Sequence, residues 1–561
     1  MLDRRSFLQV ALALGAGGTA LGPVSRAMAT QALKQSELLR FDALGQVTLL
    51  HFTDIHAQLK PLFFREPSVN IGVGEVARKP PHLTGTEYLR HYGIEPRSAL
   101  AYALTAEDFA SLAMAYGRIG GVDRLATLIY AIRAERENKT LLLDGGDTWQ
   151  GSYTALATKG ADMVRVMNAL GVDAMTAHWE YTYGQARVEE LIESLNFPLL
   201  AGNVFDNEWN EPVFDSTACF ERGGVKIAVI GQAFPYTPIA NPRYKIPSWS
   251  FGVREDVVRN NVAAARAKGA ELVVLLSHDG FDVDRKLAGR TDGIDVILTG
   301  HTHDALPAVV EVNKTLLIAS GSHGKFLSRL DLEVKKGRVT DYRFRLIPVF
   351  SDVIAPDPGM QALVEEIRAP YRGKIEGVLG ETESLLYRRG NLNGTFDDLI
   401  LAAIRETRDA EIALSPGFRW GASLVPGQNI TVDDVYNQTA ITYPEVYRTT
   451  MTGTRLKEVL EDVADNLFNP DPYYQQGGDM VRIAGVGYRL RANAPAGQRI
   501  ERLSKMPGGE PIDASREYVV TGWASVNEDV EGPAVYDIVS EHIKSLGKAV
   551  RIAPNDAVQI V

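Results

Sequence analysis

ELVVLLSHDGFDVDRKLAGRTDGIDVILTGHTHD, residues 271–304, holds two apolar runs of strand length with a helix-like stretch between them. Each run ends abruptly in a polar motif, Ser277-His278-Asp279 in one case and Gly300-His301-Thr302-His303 in the other. Runs of this length that lack polar alternation belong to strands covered on both faces, and helix-like spacers between them argue an α/β arrangement.

The same rhythm extends outward from Gly45 to Pro348. The runs VTLLHF, TLLLDGGD, DAMTAHWE, FPLLAGN, VKIAVIGQ and TLLIASGSHG recur between amphipathic stretches such as GVDRLATLIYAIRAERE. Polar motifs again follow the predicted strands. In open α/β sheets ligands bind beyond the carboxyl ends of the strands, so these motifs are expected to converge on one site. Residues from about Ala57 to Gly117 break the rhythm and are expected to form loops beside that site. A Pro-rich break at 351–377 leads into a helix, and the remainder, with the helix TRLKEVLEDVADNLF and the strand REYVVTGWA, reads as a second α/β domain. The boundaries drawn are 1–29 for a leader, 30–355 for the first domain, 356–380 for a linker helix and 381–561 for the second domain.

The chain has 561 residues, 45% of them hydrophobic and 23% charged, an ordinary globular composition for two to four domains. Its 59 basic and 70 acidic residues give a net charge of −11, which gives no support to nucleic-acid binding. A single cysteine, Cys219, rules out an internal disulfide and a cysteine-based metal site, and is expected as a small packed residue near a strand. The start has the form of a twin-arginine export signal: Arg4-Arg5, a weakly apolar run, then Ala27-Met28-Ala29. No second membrane span is expected, which places the mature chain in the periplasm. A protein exported folded can take up a weakly binding metal in the cytoplasm first.

Nine of the ten histidines fall before position 324. Five motifs follow one another: Asp54-Ile55-His56, Gly145-Gly146-Asp147, His178-Trp179-Glu180, Ser277-His278-Asp279 and Gly300-His301-Thr302-His303. Buried His and Asp at this density are costly unless something binds them. Together they form an oxygen and nitrogen set large enough for two divalent ions sharing one carboxylate, an arrangement that activates water as an in-line nucleophile.

In this order the motifs resemble the metallophosphoesterase pattern of the 5′-nucleotidase family, and Gly453-Thr454-Arg455-Leu456 and Gly477-Gly478-Asp479 resemble its later signatures. Within the family, the segments 147–152, 178–184 and 415–421 are similar to those of the dimanganese thiosulfohydrolases of bacterial sulfur oxidation. The resemblance implies a four-layer α/β/β/α catalytic domain followed by a 5′-nucleotidase-type α/β substrate-binding domain. It also implies that Asp54, His56 and His303 hold one manganese ion, that His278 and His301 hold the other, and that Asp147 bridges them. The family's third motif is Asn-His-Glu, with Asn as ligand and His assisting the leaving group. Here His178 takes the ligand position and Trp179 replaces the catalytic imidazole, with Asn203 as an alternative oxygen ligand. Arg419 is expected to bind a tetrahedral oxyanion, Trp179, Gly477, Gly478 and Asp479 to contact substrate, and His323 to brace the site. Asp147, His178 and Arg419 form the catalytic set.

The departure at Trp179 has a chemical reading. An alkoxide leaving group benefits from general-acid help, whereas a thiol is acidic, near pKa 8.5, and a persulfide more so. Loss of the imidazole therefore favours a cysteine S-thiosulfonate over a phosphate ester. The expected activity is sulfate release from such a group on a carrier protein; the resemblance implies the carrier SoxYZ. A 5′-nucleotidase, or a non-catalytic binding protein on the same fold, stands as the alternative. The nitrogen and oxygen ligand set also accommodates zinc, iron or cobalt. The mature chain is expected to be a monomer that binds neither nucleic acid nor membrane.

Overall fold

The computed structural model describes residues 33–547 and 549–561. The leader at 1–29, with its paired arginines, lies outside the described residues.

Two sheets build the first domain. Strands Val47–Phe52, Thr140–Asp144 and Ala174–Met175 run parallel, and the antiparallel pair Phe326–Lys335 and Arg338–Pro348 extends them to five strands. In the second sheet, Thr315–Ala319, Val296–Thr299, Leu272–Ser277 and Val225–Gln232 are parallel, with antiparallel edges at Val310–Val312 and Thr217–Arg222. Alternation along each strand explains the stacking. Val47, Leu49, Leu141 and Leu143 share one buried core with Ile227, Val229, Val274, Leu276, Val296 and Leu298, so the sheets pack face to face. The intervening Leu50, Phe52, Leu142, Ile230, Val273 and Leu275 turn outward against helices that include Val122–Glu135, Glu255–Ala267 and Phe281–Arg290. The result is the four-layer α/β/β/α sandwich. Each sheet has helices on one face and the other sheet on the other, which is why its strands read as continuously apolar.

Four local expectations change. The segment FPLLAGN contributes only a single bridge, Met175 to Leu199, because its chain turns away into the 203–212 loop. The 326–348 hairpin was not read as strands at all, its outer strand being too exposed to show an apolar run. The 57–117 insertion is largely helical, with Gly85–Tyr92, Ala99–Leu104 and Phe109–Tyr116. Its Ala/Leu-rich segments are strong helix formers, and they bury Tyr102, Leu104, Phe109, Leu112 and Tyr116. Cys219 is not packed: it sits on the edge strand Thr217–Arg222 with its side chain exposed.

The helix Pro358–Arg368 starts on an Asp357 cap, whose carboxylate accepts the Met360 N–H at 2.8 Å. Its Met360, Val364 and Ile367 are buried in the first domain's core, so the connector is docked. In the second domain a four-stranded sheet runs Val446–Thr452, Glu517–Trp523, Ile412–Ser415 and Arg482–Ala484. Helices Thr395–Thr407 and Val535–Ser545 cover the Ala413 face, while Gly453–Leu467 covers the face of Ile412 and Leu414.

Candidate metal centre

The carboxyl ends of five first-domain strands deliver the site. Asp54 and His56 follow Val47–Phe52, Asp147 follows Thr140–Asp144, His278 follows Leu272–Ser277, and His301 and His303 follow Val296–Thr299. His178 follows the short strand Ala174–Met175. The turns are unusually tight: Asp54, His56, Asp147, His301 and His303 all have left-handed backbones, with φ between 49° and 73°. Non-glycine residues adopt that conformation at a cost, which clusters where function demands it. Backbone bonds hold the turns together, with Asp54 N–H donating to Gly146 O, His56 N–H to Asp147 O, and His301 N–H to the Asp54 carboxylate.

The side chains converge in two groups sharing one carboxylate: Asp54, His56, Asp147 and His303, and Asp147, His178, His278 and His301, with ligand atoms within 4.8 Å of one another in each. Asp147 Oδ2 is the common point, at 3.7 Å from His56 Nε2, 3.2 Å from His178 Nδ1 and 3.1 Å from His278 Nε2. Asp54 Oδ1 lies 3.2 Å from His303 Nε2. His56 Nε2 and His303 Nε2 are 3.1 Å apart, the edge expected between donors on one ion with bonds of roughly 2.1 Å.

Burial and charge fit cations here. Every one of these side chains is buried, and His178 Nε2, His301 Nδ1 and Nε2, and His303 Nδ1 have no hydrogen-bond partner. Burial holds His178 below the usual imidazole range, and it holds His301 and His303 well below, so these rings are neutral, the form that binds metal. Burial acts the same way on His278, but the carboxylates of Asp147 and Asp54 overcome it and push the ring up to about 10. Burial raises Asp147, and the imidazoles of His178, His278 and His56 outweigh that and hold it well below the carboxylate range. The shared carboxylate is thus an anion surrounded by donors.

A supporting layer orients the ligands. His278 Nδ1 donates to Gly145 O at 2.5 Å, which turns Nε2 toward Asp147. The Glu180 carboxylate accepts the N–H groups of His178, Thr148, Trp149 and Asp147 at 2.7, 2.6, 3.2 and 3.3 Å, clasping two ligand loops together. Phe234 lies against His178 and His301, both ring centroids 4.1 Å away. Glu180 stood within a recognised motif without an assigned role; Phe234 carried no sequence signal.

Asn203 is not part of the centre. Its amide is spent on backbone, donating to Ala233 O and Gly252 O and accepting from Ala233 N–H, so the alternative ligand assignment is withdrawn. His323 lies beside the ligands, its ring 5.5 Å from His56 and 5.7 Å from His303.

A cavity of about 250 Å³ opens above the centre between the domains. Its floor includes His56, Asp147, His178, His301 and His303, and its other walls include Trp179, Phe418, Arg419, Trp420 and Gly477. Arg419 Nη1 donates to His301 O at 3.0 Å and Nη2 to Gly478 O at 2.5 Å, which leaves other guanidinium N–H groups for the cavity. Asp479 also lines the cavity; it accepts from Arg482 at 3.0 Å and Asn391 at 3.1 Å and stands 3.8 Å from Arg419. Gly477 has φ 76°, and a Cβ there would stand 1.9 Å from His301 Nε2. Its close approach is therefore to a ligand ring. Arg389, absent from the sequence reading, donates to Thr302 O at 2.9 Å beside the same wall. Trp179 is buried and edge-on to Phe418 and Trp420, which stack on each other at 4.0 Å.

Residues 378–535 match the family described as 5′-nucleotidase, C-terminal domain. Over nearly its whole length the chain superimposes on the sulfate thiohydrolase SoxB of Thermus thermophilus, solved with glycerol, with TM-score 0.90 and 38% identity, covering 93% of this chain and 98% of that one. The chain belongs to the 5′-nucleotidase family. Within this family it is also 26% identical to bovine 5′-nucleotidase over 469 residues, 74% of this chain and 79% of that protein. The Bacillus subtilis trifunctional nucleotide phosphoesterase YfkN is 26% identical over 495 residues, 76% of this chain but only 33% of that longer protein. A 5′-nucleotidase precursor from Thermus thermophilus, at TM-score 0.72 and 21% identity over 92% of this chain and 99% of that one, shares the fold.

Proposed function

We propose that this dimetal hydrolase of the 5′-nucleotidase family releases sulfate from a cysteine S-thiosulfonate on a carrier protein. Water adds to the terminal sulfonate sulfur and the S–S bond breaks, so that R–S–S–SO3⁻ and H2O give R–S–S⁻, sulfate and two protons. Asp54, His56, His303 and Asp147 hold one ion and Asp147, His178, His278 and His301 the other, for which we propose manganese. When bound, such ions lower the pKa of water and stabilise developing negative charge.

The chain's own groups do the rest. Arg419, pinned to His301 O and Gly478 O, presents fixed N–H donors to an oxyanion beside the ions. Trp179, Phe418 and Trp420 wall the cavity with apolar surface. One observation carries the choice of substrate: the position after His178, which in the family's motif supplies a catalytic imidazole, holds an indole with no acid to offer. A persulfide is acidic enough for its anion to leave without protonation, whereas an alkoxide benefits from an acid. The closed Phe418–Trp420 stack also leaves no ring-width slot between those two rings for a base. The 38% identity to SoxB supports the same reading. We further propose that the carrier is SoxYZ, that the protein works as a monomer in the periplasm, and that the twin-arginine route takes it there; no described helix is long and apolar enough to cross a membrane.

The test incubates the manganese-loaded enzyme with a peptide ending in a cysteine S-thiosulfonate and, in parallel, with a 5′-nucleotide. Sulfate without phosphate is the expected outcome. Phosphate without sulfate establishes the nucleotidase reading instead, and neither product favours a binding protein.

A further inference from the structure

His323 touches more of the centre than any ligand requires, yet it belongs to neither ligand group. Its backbone N–H donates to Asp54 O at 2.8 Å, in a left-handed conformation with φ 56°. Its ring is fully buried between Phe64, 4.2 Å away, and the two imidazoles His56 and His303. Its Nε2 accepts the N–H of Gly421 at 3.3 Å, a bond that crosses to the second domain one residue after Trp420. That acceptor role puts the ring proton on Nδ1, which donates to Ser322 Oγ at 2.8 Å. One residue thus contacts three of the four members of the Asp54, His56, Asp147 and His303 group, and also the second-domain backbone at Gly421, next to Trp420. The opposite group, around His178 and His301, is packed instead against Phe234.

With both ring nitrogens committed, His323 has no proton to exchange with a leaving group, so it is no replacement for the imidazole missing at Trp179. Its contacts serve orientation. Gly421 itself has φ 121° and no room for a side chain, since a Cβ would stand 2.0 Å from Gln438 Oε1. The N–H that His323 accepts is therefore held at a fixed point of the second domain. Behind the ring, Lys325 is buried with its ammonium on Glu66 and on the carbonyls of Phe64 and Ala103, which fixes the Phe64 ring in turn.

We propose that His323 is a positioning residue that sets the orientation of His56 and His303 and ties it to the seating of the second domain. The proposal rests on the two-ion reading of the centre and not on the identity of the substrate. Its consequence is an asymmetry between the ions, because only one group leans on His323.

Titration of the full-length apoprotein with manganese, followed by calorimetry, tests it. The wild type is expected to bind two ions. His323→Ala is expected to weaken one site by about 10- to 100-fold, the usual effect of removing a ligand's supporting partner, and to leave the other within about twofold. His323→Gln, whose Oε1 can reach the Gly421 N–H, should recover most of the loss; His323→Phe, which keeps the ring but not the acceptor, should recover less. Thermal midpoints with and without manganese accompany each titration. Lowering of both midpoints equally, with both affinities intact, overturns the proposal, and so does equal weakening of both sites. If His323→Ala fails to fold, the order Gln tighter than Phe still decides. A wild type that binds no manganese removes the two-ion premise itself, an outcome distinct from two unchanged sites in the variants.

Discussion

The floor and the roof of the cavity are built by different physics. The floor is a set of strand ends in the first domain, where seven side chains meet, the shared Asp147 carboxylate among them, and five of the seven occupy left-handed backbones. The roof is a charge chain in the second domain. Arg388 pairs with Asp397 at 2.7 Å, Asp397 with Arg482 at 3.3 Å, Arg482 with Asp479 at 3.0 Å, and Asp479 approaches Arg419 at 3.8 Å, which ends on His301 O. Buried ion pairs of this kind fix geometry more than they add stability. The floor supplies chemistry that a phosphoesterase and a sulfohydrolase can share, whereas the proposed choice of substrate rests on the roof together with Trp179.

Breaking the floor has the largest expected effect. Asp147→Asn removes the shared anion and should lower turnover by about 10⁴-fold or more, the scale at which units acting together fail, with metal content by elemental analysis falling below two ions. Breaking the roof is milder and separable. Arg419→Ala should cost about 10² to 10³ in kcat/KM, as for a lost oxyanion donor, while both ions remain; loss of metal in that variant would mean that Arg419 belongs to the floor. Trp179→His sharpens the contrast from the other side. It should raise phosphate-ester cleavage by about 10²-fold, the lower range of general-acid help, and leave sulfate release within a few-fold; a matching rise in both rates would show that the imidazole is not selective.

The smallest effect lies at the seam. Lys245 donates to Thr442 O and Thr182 O across the domains, and burial, only partly offset by Glu445, pushes its pKa down from 10.5 to about 8. Between these values the unfolded chain holds the proton that the folded one has released, so stability rises with pH across pH 8 to 10.5. Lys245→Met should flatten that part of the thermal-midpoint profile. Parallel profiles for the two proteins would remove Lys245 from the account.

The floor was legible in the sequence because ligation restricts residue type. The motifs that hold Asp54, His56, Asp147, His178, His278, His301 and His303 stand out by their place after apolar runs, and the family resemblance implied the ligand role of each. The roof was less so. Arg419 was recognisable only through a resemblance, and nothing local marks the ties of Asp479 to Arg482 and Asn391. Gly477 is expected from the sequence as a substrate contact, and nothing local shows that His301 lies against it. Asn203 stood as an alternative oxygen ligand, but its amide is consumed by backbone groups 30 and 49 residues away in sequence. Among the strands, those buried on both faces were visible as apolar runs, while the half-exposed Arg338–Pro348 was not. The exposed Cys219 shows the converse, a residue type that is usually buried placed on an edge strand.

The most direct test of the central claim, that the floor delivers water to a sulfonate sulfur, is mass analysis of the products formed in ¹⁸O-labelled water from a carrier-peptide S-thiosulfonate. Sulfate carrying one solvent oxygen, with a peptide persulfide as co-product, is the predicted result. Release of sulfite or thiosulfate in place of labelled sulfate would place the attack on an inner sulfur and contradict it.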